Sequence, residues 1–587
     1  MSTYLFESSW EVCNKVGGIY TVIKSKASTM MSLYQNYFLI GPYFEHNAKI
    51  DFISLEIPKE FKNAFQELEH EGIKCYYGKW LDVNGYCILI DFNAIINKKN
   101  EFKAKLWEDY GIDSLRASWD FEEPMLWSIA AGKVIENIYQ NNPSLKIIAH
   151  CHEWLAGFEI LYLKKYCPKI STVFTTHATV LGRTISSKGR DLYAVMNNID
   201  VSREIYYNMV EAKHLAEKAA ALNADVFTTV SDITAMESEK FLGRKPEFIL
   251  QNGLDLEKFP TIEEVTIKHI TSRDKIREFL IYYFFPYYVF DVNKNLVFYT
   301  VGRYEFRNKG YDVLIKALGR LNQILKNEKS DVSISVFFWI PMENHGIKLD
   351  VLENKNYYMH IKNYVMSNSP EILKKIVYDF ICKKDVNQLF TDTFLKEIKK
   401  DLAAFERKGD PPLSTHNLED NNLILSALRS NGLLNNISDN VKVIIEPIYL
   451  DGTDGFIDLS YYDAMIGCHL GIFLSYYEPY GYTPLESAAL GVPAITTDMS
   501  GFGKFIKSKN PENKGIYVLN RSGINEEDFI KNFVQILYDY SKQPHSQRVN
   551  CKIKAKYLST FADWKVLGEN YANAHKKALE KNNDNNP

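Results

Sequence analysis

The chain carries no surplus of charge of either sign: 69 lysines and arginines stand against 73 aspartates and glutamates, a net charge of −4 over 587 residues. Such a balance offers no electrostatic attraction to nucleic acid or an anionic membrane, so neither is expected as a partner. Long apolar runs are missing too. The greasiest stretch, Phe279 to Phe290, is broken by Pro286 and falls short of the roughly 20 residues that span a bilayer. Met1 to Glu7 has none of the basic and apolar regions of a secretory signal. The eight cysteines (13, 75, 87, 151, 167, 382, 468 and 551) include no C-x-x-C pair, which argues against a cysteine zinc site and suits reduced thiols. A soluble, cytoplasmic protein is expected. What is plentiful is apolar and aromatic: 46% hydrophobic residues fill more than one core, and the length accommodates two large α/β domains with an insertion. The 38 tyrosines offer flat faces that suit sugar rings, although core packing is their commoner use.

The most informative stretch runs from Gly471 to Thr497. Ile472 to Leu474 reads as a strand buried on both faces, and Thr483-Pro484-Leu485-Glu486 as a capping box with proline at the first helical position, which predicts a helix from Pro484. Gly491 ends that helix, and Ala494 to Thr496 forms the next strand. In a strand-loop-helix-strand unit the loop lies at the carboxyl edge of a parallel sheet, and the helix start presents backbone N–H groups to a phosphate. Glu478 and Glu486 flank that anion site. Carboxylates there would repel a phosphate unless aimed at hydroxyls of a sugar or ribose, so the pattern points to a nucleotide-sugar. As third residue of a capping box, Glu486 also has a sufficient role without any ligand.

Elsewhere Tyr4 to Ser8 reads as a first strand, followed by a loop with Lys15, Gly17 and Gly18 that opens a helix; the glycines admit a ligand close to the backbone and the lysine can neutralise an anion. Apolar runs from Tyr37 to Asp91 suggest further strands of an open parallel sheet, and 101–124 reads as loop and short helix. Lys146 to Ala149 is a strand ending at His150-Cys151-His152-Glu153, which is read as a cleft lining rather than a metal site because no other ligand-spaced cluster accompanies it. Ser171 to Thr175 leads into His177 and Arg183. Leu296 to Val301 is followed by a loop in which Arg303 and Lys309 are expected to converge beside Glu478, where two cations would stabilise a departing diphosphate in place of a metal. From about 342 to 440 the chain becomes helical, with apolar faces at Ile372, Leu373, Ile376, Val377 and Phe380 and at Leu395, Ile398, Leu402 and Phe405. Asp451 to Gly455 reads as a turn, and 581–587 as a disordered polar tail.

Ser475 to Glu486 resembles the E-x7-E signature of retaining GT-B glycosyltransferases in the form found in animal and fungal type glycogen synthases. The chain also matches that family's K-x-G-G loop (Lys15 to Gly18), its HEWLAG element (His152 to Gly157), its TTHATxLGR motif (Thr175 to Arg183) and its R-x5-K pair (Arg303, Lys309). The resemblance implies two Rossmann-like domains facing a cleft: residues 1–265 on the acceptor side, 266–545 binding the nucleotide-sugar with the helical insertion at 342–440, and C-terminal helices in 546–587 crossing back. It implies transfer of glucose from UDP-glucose to the nonreducing end of an α-1,4-glucan such as glycogen with retention of configuration, no cofactor or metal, and a homo-oligomer, with a tetramer among the options, assembled through the insertion. By the same resemblance His177 and Glu478 contact the glucose, Lys309 and Arg303 neutralise the diphosphate, and Arg183 lies near the donor. Tyr461 stacks on uracil, the loop of Tyr480, Gly481, Tyr482 and Thr483 holds phosphate, and Glu486 meets the ribose. Two departures are Gln251, where proline is usual, and Tyr480, where tryptophan is common. Arg548, Lys552 and Lys556, at i, i+4 and i+8, match a helix that binds glucose 6-phosphate in the relatives; with one arginine among lysines, weak stimulation or none is expected. A glucan phosphorylase shares the fold but would need a lysine holding pyridoxal phosphate, and an inactive glucan-binding scaffold would have no use for both glutamates and both cations.

Overall fold

Two sheets divide the strands of the computed structural model, which describes residues 3–383 and 390–585. The first comprises β1 (Thr3–Ser8), β2 (Asn36–Pro42), β3 (Phe52–Ser54), β4 (Lys74–Trp80), β5 (Gly85–Asp91), β6 (Lys146–His152), β7 (Ser171–Thr176), β8 (Val226–Thr229) and β9 (Phe248–Ile249). The second comprises β10 (Asn295–Val301), β11 (Ser333–Trp339), β12 (Val441–Glu446), β13 (Leu470–Ile472), β14 (Ala494–Thr497) and β15 (Ile516–Leu519). In space their orders are β3-β4-β5-β2-β1-β6-β7-β8-β9 and β12-β11-β10-β13-β14-β15. The second sheet is parallel throughout, and its order reverses between β10 and β13; the first reverses between β1 and β6. At such a reversal the following helices leave to opposite faces and a crevice opens beyond the strand ends, so the loops after β1, β6, β10 and β13 are where a ligand can enter.

The apolar runs form the central strands as expected, because residues buried on both faces must be apolar on both. The edge of the first sheet departs from the expected parallel arrangement: β4 runs antiparallel to both β3 and β5. Residues 74–91 form a hairpin whose mixed exposure makes its periodicity ambiguous. The region 101–124 is also more regular than expected, holding the helix Lys99–Tyr110 and the start of the helix Trp119–Asn141. Phe279 to Phe284 ends the helix Ile262–Phe284, buried against the second sheet, and no helix among the described residues is long and apolar enough to cross a membrane. The expected turn at 451–455 is present, with Thr453 N donating to Asp451 Oδ1 at 2.8 Å.

The insertion is helical, with Leu349–Ile381 and Asp392–Phe405 packed together. Its first apolar face is only partly covered: Ile372 and Ile376 are half-buried, while Leu373, Val377 and Phe380 are 60%, 58% and 68% exposed. Up to residue 585 the terminal segment is helical where a disordered tail was expected, and residues 586 and 587 of that tail lie outside the described residues. The helix Trp564–Asn585 crosses back over the first sheet. There Tyr571 and His575 are buried, Lys581 Nζ donates to the Asp225 carbonyl at 2.9 Å, and Asn582 Nδ2 donates to the Pro168 carbonyl at 2.8 Å. Lys581 and Asn582 thus cap neighbouring carbonyls.

Candidate active site and a second cationic cavity

The loops after β10 and β13 meet at the reversal of the second sheet. Tyr476 N donates to the Asn308 carbonyl at 2.8 Å, and Lys309 Nζ donates to Glu478 Oε2 at 2.5 Å, with Ser475 Oγ on the same oxygen at 3.1 Å. Gly310 makes this approach possible. Its φ is +71°, and a Cβ there would lie 2.2 Å from the Leu474 carbonyl oxygen. Behind the loop Arg521 stacks on Tyr476 at 3.2 Å and donates to the Leu474 carbonyl. Arg303, expected to join Lys309, instead reaches Glu305 Oε1 at 3.0 Å with its side chain 80% exposed. The structure brings Lys309 to Glu478 and leaves Arg303 at the rim in water.

The helix after Glu478 also differs from its expected form. It spans Tyr482–Ala489, capped by Gly481 at φ +98° with no side-chain bond. Thr483 therefore lies inside the helix and the capping box does not form. Glu486 is freed for another role: its carboxylate accepts from the Tyr462 hydroxyl at 2.8 Å and the Tyr461 hydroxyl at 3.2 Å, and burial raises its pKa. Tyr480 is buried between Tyr482 and Phe502, so its ring holds the loop from inside. Ser231 Oγ donates to the Pro479 carbonyl at 2.6 Å, fastening this loop to the first domain.

On that opposite side, the K-x-G-G loop is already occupied by a carboxylate of the chain itself. Glu11 Oε2 accepts from Gly17 N at 2.7 Å and Tyr20 N at 2.9 Å, filling the start of the helix Gly18–Leu33. The Gly17 amide is thus satisfied internally, while Lys15 and Gly18 stay exposed. Glu153 adopts φ +65°, unusual for a residue with a side chain, and its Oε1 accepts from the backbone N–H of His177 at 3.0 Å and of Ala178 at 3.1 Å. Arg183, exposed on the helix Val180–Ser187, has Glu153, Tyr477, Glu217 and Glu11 as electrostatic neighbours, and these favour its charge. Burial pushes the Glu217 carboxyl up to about 8 and that of Glu237 up to about 7. A cluster of buried acids around one arginine was not visible from spacing, because its members lie on separate elements.

His177 Nε2 is hydrogen-bonded to His152 Nδ1 at 2.9 Å, and His152 Nε2 to Glu7 Oε1 at 2.5 Å. Among the described residues Glu7, His150 and His152 could offer ligand atoms within 4.8 Å of one another. The Glu7 oxygen that His152 meets also carries the Lys26 ammonium, a competing cation, so the set does not fit a metal ion.

A second site lies between the helices Ile262–Phe284 and His545–Ser559, a cavity of about 820 Å³ lined by Arg273, Arg277, His269, His469, Arg548, Lys552 and Lys556. Burial, then the nearby Arg273, brings Lys552 down to about 7; burial brings Arg273 to about 10, and burial with Lys552 and Arg273 brings His269 to about 3. Cations that depress one another in a cavity suit an anionic ligand. Of the three expected residues, Lys556 is committed to the Pro260 and Ala489 carbonyls at 2.8 and 2.6 Å, and Arg548 donates to the Gln543 carbonyl. Arg273 and Arg277 went unread; their own i, i+4 spacing was the available signal.

Two Rossmann-like domains whose strand-end loops gather a lysine-glutamate pair, a helix start and histidine on facing sides define a GT-B glycosyltransferase. The catalytic domain of starch synthase IV from Arabidopsis thaliana, solved bound to ADP and acarbose, has this fold, with a TM-score of 0.54 at 12% identity over 99% of this chain and 100% of that one. The family model described as glycogen synthase matches residues 7–586. Liver glycogen [starch] synthase of Rattus norvegicus is 34% identical across 98% of this chain and 83% of its own length, and isoform 2 of Saccharomyces cerevisiae 35% identical across 98% and 86%. The chain belongs to the glycogen synthase family.

Proposed function

We propose that the chain transfers glucose from UDP-glucose to the nonreducing end of an α-1,4-glucan with retention of configuration. The observation that carries this reading is the Lys309–Glu478 pair at the sheet reversal, with Arg183 of the first domain near enough to Tyr477, the neighbour of Glu478, to interact with it electrostatically. As the bond from the glucose anomeric carbon to diphosphate breaks, negative charge grows on the leaving oxygen; Lys309 would stabilise it as a fixed cation, aided by backbone N–H groups at the start of Tyr482–Ala489. Arg303 would leave Glu305 to join the diphosphate when donor is bound. Glu478, released from Lys309, would accept hydrogen bonds from the glucose, and Glu486 from the ribose, with Tyr461 beside the base. Release of UDP from UDP-glucose, dependent on added glycogen, tests the proposal.

The exposed face of Leu373, Val377 and Phe380 supports a homo-oligomer built through the insertion, since a patch of large apolar side chains on one helix is costly to leave in water. The cationic cavity supports binding of a sugar phosphate such as glucose 6-phosphate through Arg273, Arg548 and Lys552, with weak stimulation because the helix supplies one arginine. The eight free thiols are consistent with a cytoplasmic setting.

A further inference from the structure

Beneath His177 a buried polar chain reaches the centre of the first sheet. Glu7, on β1, is fully buried, and all the groups around it are donors: the Lys26 ammonium on Oε1, the Tyr37 hydroxyl on Oε2 at 2.5 Å, and His152 Nε2 on Oε1 at 2.5 Å. Against the cost of burial, Lys26 and His152 hold the Glu7 carboxyl well below its ordinary range, so it is a carboxylate with lone pairs only. Burial keeps His152 and His177 neutral, each with one N–H and one bare nitrogen. The protons follow by elimination. Facing a carboxylate, His152 Nε2 must carry hydrogen and donate; its Nδ1 is then bare and can only accept. Across the 2.9 Å contact, His177 Nε2 must donate to it, which leaves His177 Nδ1 as a lone pair. That atom makes no hydrogen bond to any described residue, and the backbone around it is clamped, His177 N donating to Glu153.

We infer that Glu7 and His152 are positioning residues that lock His177 as a hydrogen-bond acceptor, so that it receives a proton-donating hydroxyl of the transferred sugar. Lys26 belongs to the device because it keeps Glu7 ionised where burial alone would protonate it. A chain ending in a neutral acid or an amide could run in either direction, and His177 would then present an N–H for part of the time. Fixing the tautomer makes the contact selective for a hydroxyl donor and costs nothing to arrange when substrate arrives. The neighbouring pair His150 and His575, joined at 3.0 Å, ends on the Tyr34 hydroxyl at 2.9 Å and does not lead to the cleft.

The inference rests on the proposed use of UDP-glucose, and two measurements separate its failure from failure of that reading. Histidine-selective 15N spectra of the ligand-free protein are expected to show His152 and His177 protonated at Nε2 and bare at Nδ1; a proton on Nδ1 of His177 overturns the inference whatever the substrate. In kinetics, His152→Asn retains a polar group whose amide can donate or accept, so the lock is lost. The Glu7→Gln/Lys26→Met double variant removes both buried charges together and lets an amide N–H point at His152. Each is expected to lower kcat/KM for UDP-glucose about ten- to a hundredfold, the range for losing one well-made hydrogen bond, while affinity for UDP, which lacks the sugar, stays within about twofold. Donors with one sugar hydroxyl at a time replaced by fluorine add a signature that packing defects would not mimic: the parent is expected to lose rate with one of them and the folded variants to lose nothing further. Parent-like kcat/KM, equal weakening of UDP and UDP-glucose, or unchanged discrimination among the fluorinated donors overturns it. If one variant does not fold, the other carries the comparison.

Discussion

Lys309→Ala removes the cation that sits 2.5 Å from Glu478. Both side chains are about four-fifths shielded, at 20% and 23% exposure, so their surroundings lie between water and protein interior. At an effective dielectric constant of about 20, two unit charges about 4 Å apart interact by about 4 kcal/mol. Only the part of that interaction gained as charge moves onto the leaving oxygen accelerates the reaction. Loss of one well-placed electrostatic stabiliser costs about 2.7–4 kcal/mol, so turnover at saturating UDP-glucose should fall about 10²- to 10³-fold. UDP already carries its charge in the ground state and is solvated at the rim, so its affinity should weaken less than about tenfold. Removing the cation leaves the mostly shielded Glu478 carboxylate with only Ser475 as a partner among the described residues, so stability should fall by about 1–3 kcal/mol, which a melting curve checks. The assay is UDP release at saturating donor and glycogen, paired with calorimetric titration of UDP. Turnover within about threefold of the parent in a folded variant would refute the role given to Lys309.

Glu486→Ala, which also strands the Tyr461 and Tyr462 hydroxyls, should raise KM for UDP-glucose about ten- to a hundredfold with a smaller change in kcat; the opposite split would move Glu486 from binding to chemistry. Turnover should persist after chelation of divalent metals, because in the proposed complex Lys309, joined by Arg303, takes the metal's part at the leaving group; loss restored by manganese or magnesium would count against the site. In the cationic cavity Lys552 loses its proton near pH 7, so above that pH an anion must bring a proton with it. Affinity for glucose 6-phosphate should therefore fall between pH 7.5 and 9, where the phosphate is already a dianion, by at most about tenfold per pH unit; a flat profile contradicts this. Sedimentation should give a multiple of 67.9 kDa for the parent and a smaller species for Leu373→Glu with Val377→Glu; an unchanged mass would place the interface elsewhere.

The central strands and the loops that meet at the sheet reversal were legible because a buried parallel strand must be apolar and a loop at its carboxyl end must be rich in glycine and charge. The Glu478 and Lys309 loops announced themselves this way. The helix start was misplaced because the local pattern Thr483 to Glu486 satisfies a capping box, and only the position of Gly481 against Ser500 and Glu478 decides that the helix starts earlier. Arg303 could not be placed, since a charged side chain on a loop chooses between ligand and neighbour, and here Glu305 is two residues away. Glu7, Lys26 and Glu11 were illegible for a different reason: each looks like an ordinary polar residue in a strand, helix or loop. Their meaning comes from partners as far as 145 residues apart, as with Glu7 and His152. The antiparallel β4 and β5 escaped notice because an edge hairpin obeys no both-face burial rule.

The most direct test of glucose transfer follows the sugar itself. UDP-glucose labelled with 13C at the anomeric carbon is incubated with glycogen and the protein, and the polymer is recovered and examined by NMR before and after exo-digestion from nonreducing ends. Transfer as proposed predicts label in new α-1,4 linkages, all of it removed by the exo-enzyme, with one UDP formed per glucose added. Label in a β linkage, label recovered as free glucose, or incorporation only from glucose 1-phosphate would contradict it.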